Sequence, residues 1–288
     1  HAGASGLVRA GGRGGRRCGR GPGGAMGNGG LAHCECAEGL FGGDATSASN
    51  LDKPLSFSSL DPRAGDRHRF APHTTSDGGV YRGEMRGELR HGRGTQVWPD
   101  GTKYDGQWVN DRAEGWGRFE HLDGDVYEGE WLADQAHGRG TYTHADGSTY
   151  EGAWESDKQH GEGVETWSTD GAKYIGQYLN GKKHGRGKFM WADGSSFSGQ
   201  FVSNDIAGTG LYRWNDGRSY EGQWLDNMMH GTGIFRWTDG RVYEGQYIRD
   251  LKHGHGKFTW ADGRMYDGQW KDGKQHGRGT AKLSDGEQ

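Results

Sequence analysis

The stretch "GHGKFTWADGRMYDGQW", Gly254 to Trp270, holds two short β-prone runs on either side of Asp262-Gly263. Asp-Gly between alternating apolar residues is the strongest short-range signal for a β-hairpin. Side chains alternate along a strand, so Gly254, Gly256, Phe258 and Trp260 share one face of the first run, and Tyr266, Gly268 and Trp270 one face of the second. For the two ring-bearing faces to coincide, the loop must hold an odd number of residues. Ala261-Asp262-Gly263 is therefore read as a three-residue turn with Gly263 in the left-handed conformation. A two-residue turn would instead set Phe258 opposite Asp267.

Outward from this stretch the same pattern recurs. Gly-x-Gly pairs begin at Gly92, Gly115, Gly138, Gly161, Gly185, Gly208, Gly231, Gly254 and Gly277, each 23 residues after the last except for one step of 24. An aromatic-x-Gly motif follows in phase from Tyr81 to Tyr266, and an Asp-Gly pair recurs once per unit. The unit with the extra residue keeps Trp167 and Tyr174 on the ring face if Ser168 to Gly171 form a four-residue loop, where an insertion costs least. Nine units are delimited: 81–103, 104–126, 127–149, 150–173, 174–196, 197–219, 220–242, 243–265 and 266–288.

A lone hairpin is marginal in water, so stability must come from stacking neighbours. The expected fold is all-β: an elongated single-layer ribbon of about nine tandem antiparallel hairpins, on the order of 85 Å long at about 4.8 Å per strand. Its core is an aromatic strip that includes Trp191, Tyr220, Trp224, Trp237, Tyr243, Trp260, Tyr266 and Trp270. Gln96 and Ala281 stand where the other units place a ring, as befits terminal units.

Composition agrees. Of 288 residues 58 are Gly and only 31% are hydrophobic, which argues against an ordinary globular core. All 12 Trp and all 12 Tyr lie between Tyr81 and Leu283, so burial belongs to that stretch, and residues 1–80 read as a disordered segment and linker. Net charge is −4, with a surplus of acid in the repeats, which argues against a general nucleic-acid binder. Cys18, Cys34 and Cys36 all precede the repeats, so no disulfide framework staples them, and an intracellular, cytoplasmic location fits. No apolar run approaches the roughly 20 residues of a spanning helix.

Two stretches, "YEGEWLADQAHGRGTYTHADGSTY" (Tyr127 to Tyr150) and "YEGQWLDNMMHGTGIFRWTDGRVY" (Tyr220 to Tyr243), closely resemble the membrane occupation and recognition nexus (MORN) repeat, a resemblance that extends from Tyr81 to Gln288. It implies a non-enzymatic scaffold or tether for protein partners, commonly at membranes, junctions, basal bodies or the cytoskeleton, and it admits a homodimer. MORN arrays also occur joined to phosphatidylinositol-phosphate kinase domains and in ciliary radial-spoke proteins, so the alternative expectation is the regulatory array of a larger protein. The chain begins at His1 without a methionine and stops three residues after Asp285, inside the ninth turn, which together suggest a partial sequence.

Three constellations remain. If Met26 is a start, "MGNGGLAHCECAEG" makes Gly27 a myristoylation candidate and Cys34 and Cys36 palmitoylation candidates, the two signals that stable anchoring needs; Leu31 stands where that pattern wants Ser or Thr. Lys182, Lys183, Arg186 and Lys188 form a basic cluster, read either as a solvated loop or as a contact for anionic lipid headgroups or an acidic partner. His precedes Gly-x-Gly in seven of the nine units, which suggests turn hydrogen bonding and not a metal, since no Cys accompanies the row. No nucleophile elbow or phosphate-binding loop is present, so neither a catalytic residue nor a cofactor is expected.

Overall fold

The structure, a computed structural model, describes residues 68–69 and 72–284. Two compact units are distinguished, one ending at Gly181 and the other beginning at Lys182. Among the described residues there is no helix.

The first unit contains β1 (His68–Arg69), β2 (His73–Thr74), β3 (Val80–Arg86), β4 (Leu89–Val97), β5 (Lys103–Val109), β6 (Arg112–Glu120), β7 (Val126–Leu132), β8 (Gln135–Thr143), β9 (Thr149–Glu155), β10 (Lys158–Thr166) and β11 (Lys173–Leu179). From β3 onward each strand pairs antiparallel with the next, while β1 and β2 both lie along β3. The second unit contains β12 (Lys182–Met190), β13 (Ser196–Val202), β14 (Asp205–Arg213), β15 (Ser219–Leu225), β16 (Met228–Arg236), β17 (Val242–Ile248), β18 (Leu251–Thr259), β19 (Met265–Lys271) and β20 (Lys274–Lys282), again antiparallel in sequence order. From β3 onward seven-residue and nine-residue strands alternate in both.

The turn chemistry read from Gly254 to Trp270 holds. Phe258 opposes Tyr266 and Gly256 opposes Gly268. Trp260 N–H donates to Arg264 O at 2.9 Å and Gly263 N–H to Trp260 O at 3.0 Å, which closes a loop of residues 261–263 with Gly263 at φ +87°. In the odd unit Trp167 N–H donates to Ala172 O at 3.0 Å, so residues 168–171 form the four-residue loop and Tyr174 keeps its face, opposite Glu165.

Two features of the ladder escaped the sequence reading. The first is a second turn per repeat. Residues such as Arg249-Asp250 and Asp226-Asn227 both take positive φ, the primed turn whose twist matches that of the flanking strands. Each is tied to the turn before it: Met229 N–H donates to Asp250 Oδ1 at 2.7 Å, and Asp250 N–H returns to Met229 O at 3.0 Å. The second is a bulge at the first glycine of each Gly-x-Gly. Gly245 pairs with Gly256, but the next residue, Gln246, pairs with His253, leaving Gly254 and His255 unmatched. Gly254 takes φ +60°, so that a side chain there would run into Gln246, while on the β19 side it keeps the register of the ring face, opposite Trp270. The bulged amide is satisfied: His255 N–H donates to Gln246 Oε1 at 2.8 Å, and Gln200, Gln223 and Gln269 repeat this bond with Thr209, Thr232 and Arg278. The recurring Gln of "EGQW" is therefore a backbone partner.

The core is one ring deep. Tyr220 is fully buried, makes edge contacts with Trp224 (5.1 Å) and Tyr247 (5.2 Å), and lies on the paired glycines Gly222 and Gly233. Its hydroxyl donates to Gln223 O at 3.0 Å. By contrast the Tyr247 hydroxyl is buried with no partner, and two repeats earlier Phe201 fills the same position. Tyr247→Phe is accordingly expected to stabilise the protein by roughly 0.5–1 kcal/mol, because it removes a desolvated, unbonded hydroxyl. Thermal unfolding checks this, and a lowered midpoint would contradict it.

Candidate interaction surface

Along the aromatic side the rings fall into two rows. Tyr220, Trp224, Tyr243 and Trp270 lie in the inner row and are buried, while Trp191, Trp237 and Trp260 lie in the outer row with Trp214 and are half-buried. Tyr266, beside the exposed final strand, is an inner-row residue left half-buried.

In the second unit the outer row is a ladder whose surface rings are all tryptophan. Centroid distances run Trp191 to Tyr212 5.1 Å, Tyr212 to Trp214 4.5 Å, Trp214 to Phe235 5.1 Å, Phe235 to Trp237 4.3 Å, Trp237 to Phe258 5.5 Å and Phe258 to Trp260 4.7 Å. Phe and Tyr lie under the layer and Trp lies at its surface. Each Trp directly follows a strand, just before the three-residue loop. Three of these loops continue with Arg, whose guanidinium carbon stands 5.3 to 5.6 Å from the Trp centroid: Arg218 by Trp214, Arg241 by Trp237 and Arg264 by Trp260. The Arg Nε is held by the loop Asp at 2.7 Å in all three, which aims it at the ring. In Asp216 and Asp262 the backbone N–H of that Arg, joined by its guanidinium, holds the carboxyl below its ordinary range.

The two rows also differ in how their indoles are bonded. In the inner row Trp108, Trp131, Trp154, Trp224 and Trp270 each donate Nε1–H to a glycine carbonyl at 2.8 to 3.1 Å. In the outer row the N–H groups of Trp191, Trp214, Trp237 and Trp260 find no acceptor among the described residues and are not buried.

In the first unit the equivalent positions are Trp98, His121, His144 and Trp167. Asp125 organises the middle pair, accepting from Tyr142 Oη at 2.7 Å and lying 3.2 Å from His144 Nδ1. Burial pushes the Tyr142 hydroxyl up, reinforced by Asp125, and pulls the His121 imidazole down. The outer row thus changes character between the units.

Lys252 was not singled out from the sequence. It occupies the place of Ala113, Ala136, Ile206 and Met229, all buried, and its Nζ stands 4.5 to 5.1 Å from the centroids of Phe258, Trp270, Trp237 and Tyr243. Burial, aided by the neighbouring Arg241, pulls the ammonium from its ordinary 10.5 to about 8. Below pH 8 folded and unfolded chains both carry this charge. Between about 8 and 10.5 the folded chain loses the proton and the unfolded chain keeps it, so stability rises with pH across that window. Lys252→Met, which copies Met229, is expected to add on the order of 1 kcal/mol at pH 7 and to remove the rise. Urea unfolding at pH 7 and pH 9.5 measures both; a rise that persists in the variant would refute the assignment.

The basic cluster does not assemble as read. Lys183 is only 2% exposed and lies on the aromatic side, in the position of Ala113 and Met229, whereas Lys182 and Arg186 are exposed and Lys188 is half-buried. Strand alternation separates them, since Arg186 and Lys188 flank the ring-facing Gly187 and so point to the opposite face. That opposite face of the second unit carries an open depression of about 850 Å³ walled by Glu221, Glu244, Leu211 and Ile234. Among the described residues no three His, Cys, Asp or Glu side chains gather as metal ligands. Gly27, Cys34 and Cys36 lie outside the described residues.

The MORN repeat family model matches nine consecutive segments: 81–103, 104–126, 127–149, 150–171, 174–196, 197–217, 220–240, 243–263 and 266–288. The chain belongs to the MORN repeat family. Its MORN segments begin at the inner-row aromatic of each repeat, the residue that lies on the glycine pair, so the family period and the structural period coincide. No curated protein matches the chain. Among solved structures, the SAS-4 (dCPAP) TCP domain of Drosophila melanogaster, in complex with a proline-rich motif of Ana2 (dSTIL), is 15% identical, with 66% of this chain and 97% of that one covered and a TM-score of 0.34. The TCP10 domain of Danio rerio CPAP, in complex with a STIL peptide, is 16% identical over 74% and 97%, with a TM-score of 0.23. Virginiamycin B lyase of Staphylococcus aureus is 11% identical over 73% and 80%, with a TM-score of 0.16.

Proposed function

We propose that this MORN array is a non-enzymatic scaffold or tether that gathers protein partners along its strands and holds them near a membrane or the cytoskeleton inside the cell. The observation that carries the reading is the outer row of tryptophans: four half-buried rings with unbonded N–H groups, repeated once per hairpin, form a surface suited to an extended partner and not to a small substrate. A sheet one ring deep has little room for a water-excluding pocket, which favours binding over catalysis. Acylation at Gly27, Cys34 and Cys36 would supply the membrane contact. Pairing of a second copy along β20, all nine of whose residues are exposed, would supply the homodimer.

Proximity labelling with the full chain in cells tests the scaffold. A reproducible set of neighbours that disappears when residues 81–288 are removed is the expected result; an unchanged set would end the proposal. In the same cells Gly27→Ala with Cys34→Ser and Cys36→Ser is expected to release the protein from membranes, and unchanged fractionation would discard the anchor.

A further inference from the structure

We infer that Trp191, Trp214, Trp237 and Trp260 form a docking strip for a polyproline II segment of a partner protein, one residue in every three meeting successive tryptophans. The inference rests on the scaffold reading and states the chemistry of one partner. Its first support is spacing. Tryptophans of consecutive hairpins are two strands apart, about 9.6 Å at the usual strand separation. A polyproline II helix advances about 3.1 Å per residue with three residues per turn, or about 9.3 Å per turn. A ligand lying across the strands therefore stays in phase with the ladder, and about ten residues span its four rings. The other regular backbones do not fit: an extended strand repeats its side chains every ~6.7 Å and an α-helix turns every ~5.4 Å.

The second support is hydrogen bonding. The five inner indoles are satisfied by glycine carbonyls, whereas the four outer ones present N–H groups with no acceptor among the described residues. A polyproline II backbone makes no internal hydrogen bonds, so its carbonyls are available, and proline supplies no competing N–H. Flat half-buried rings with an outward donor match the aromatic grooves that take such segments. The guanidinium groups of Arg218, Arg241 and Arg264, which stand over the rings of Trp214, Trp237 and Trp260, disfavour a basic ligand, so the segment is neutral or acidic. Residues 1–288 do not supply it, because their five prolines, Pro22, Pro54, Pro62, Pro72 and Pro99, never fall three apart.

The test titrates the full chain with a ten-residue oligoproline, a ten-residue peptide with proline at every third position, one with proline at every second position, and a ten-residue Gly/Ser peptide, by tryptophan fluorescence and calorimetry. Oligoproline and the every-third peptide should bind at least about tenfold more tightly than the other two. Trp214→His with Trp237→His copies what the chain itself carries at His121 and His144, so folding should persist, and affinity should fall about tenfold or more. No oligoproline binding, equal binding by the variant, or indifference to proline spacing would each overturn the inference. Should the double variant unfold, Trp260→His and the spacing series on the native protein still decide. Loss in the His variant of binding to phosphatidylserine vesicles, without oligoproline binding, would point to a lipid surface and overturn it as well. If array-dependent neighbours in cells survive these substitutions, the polyproline assignment fails and the scaffold reading stands; if no such neighbours exist, the scaffold reading itself fails.

Discussion

Gly233→Ala is expected to destabilise the second unit by about 3 kcal/mol or more, a loss far larger than an alanine normally causes in a strand. A methyl at this position would stand 2.3 Å from Tyr220 Oη and 2.5 Å from its Cζ and Cε2. The ring cannot step aside, being fully buried with Trp224 and Tyr247 edge-on against it. Backbone retreat is blocked too, because Gly222 Cα occupies the facing position of the ladder. Gly263→Ala is the control. Nothing lies within 4 Å of its added methyl, so only the strain of a side chain at φ +87° remains, about 1–2 kcal/mol. Urea unfolding of the two variants should separate the two glycine classes; equal losses would show that ring-on-glycine packing does not govern stability.

Tyr220→Ala is expected to cost about 3–5 kcal/mol, since it opens a ring-sized void between two other rings that are held by their own backbones. Because stability in a repeat array passes between neighbours, amide hydrogen exchange should quicken first in β15, β16 and β17. Tyr220→Phe keeps the ring and loses the hydroxyl's bond to Gln223 O, with its longer contact to His230 O, so it should cost about 1 kcal/mol. The chain carries this substitution itself, with Phe197 fully buried on Gly199 and Gly210. A phenylalanine variant as damaged as the alanine variant would mean that the hydroxyl, and not the ring, holds the repeat.

Much of this was legible before the structure. Asp262-Gly263 and the parity of Phe258 and Tyr266 determined the hairpin, its three-residue loop and the face its rings share, because those depend on residues within a few positions of one another. The 23-residue period determined the number of hairpins, and the extra residue at 168–171 was placed correctly by requiring Trp167 and Tyr174 to keep one face. The bulge at Gly254 was not legible, since a Gly-x-Gly read in isolation alternates like any strand; only the pairing of Gln246 with His253 shows the slip.

Lys183 and Lys252 illustrate the same limit. Their sequence neighbourhood is basic and glycine-rich, which suggests solvent, yet each stands where other repeats bury Ala, Ile or Met. Composition marks a lysine as exposed, whereas strand alternation carried through a bulge turned these two inward. The sequence by itself determined that rings would line one face and glycines would lie beneath them, because the alternation of a strand is local. Which tryptophans would be satisfied was decided only by the tertiary structure. The Nε1–H of Trp224 reaches Gly210 O, 14 residues earlier, while that of Trp237 finds no acceptor among the described residues, and that difference depends on where a neighbouring strand places its carbonyl.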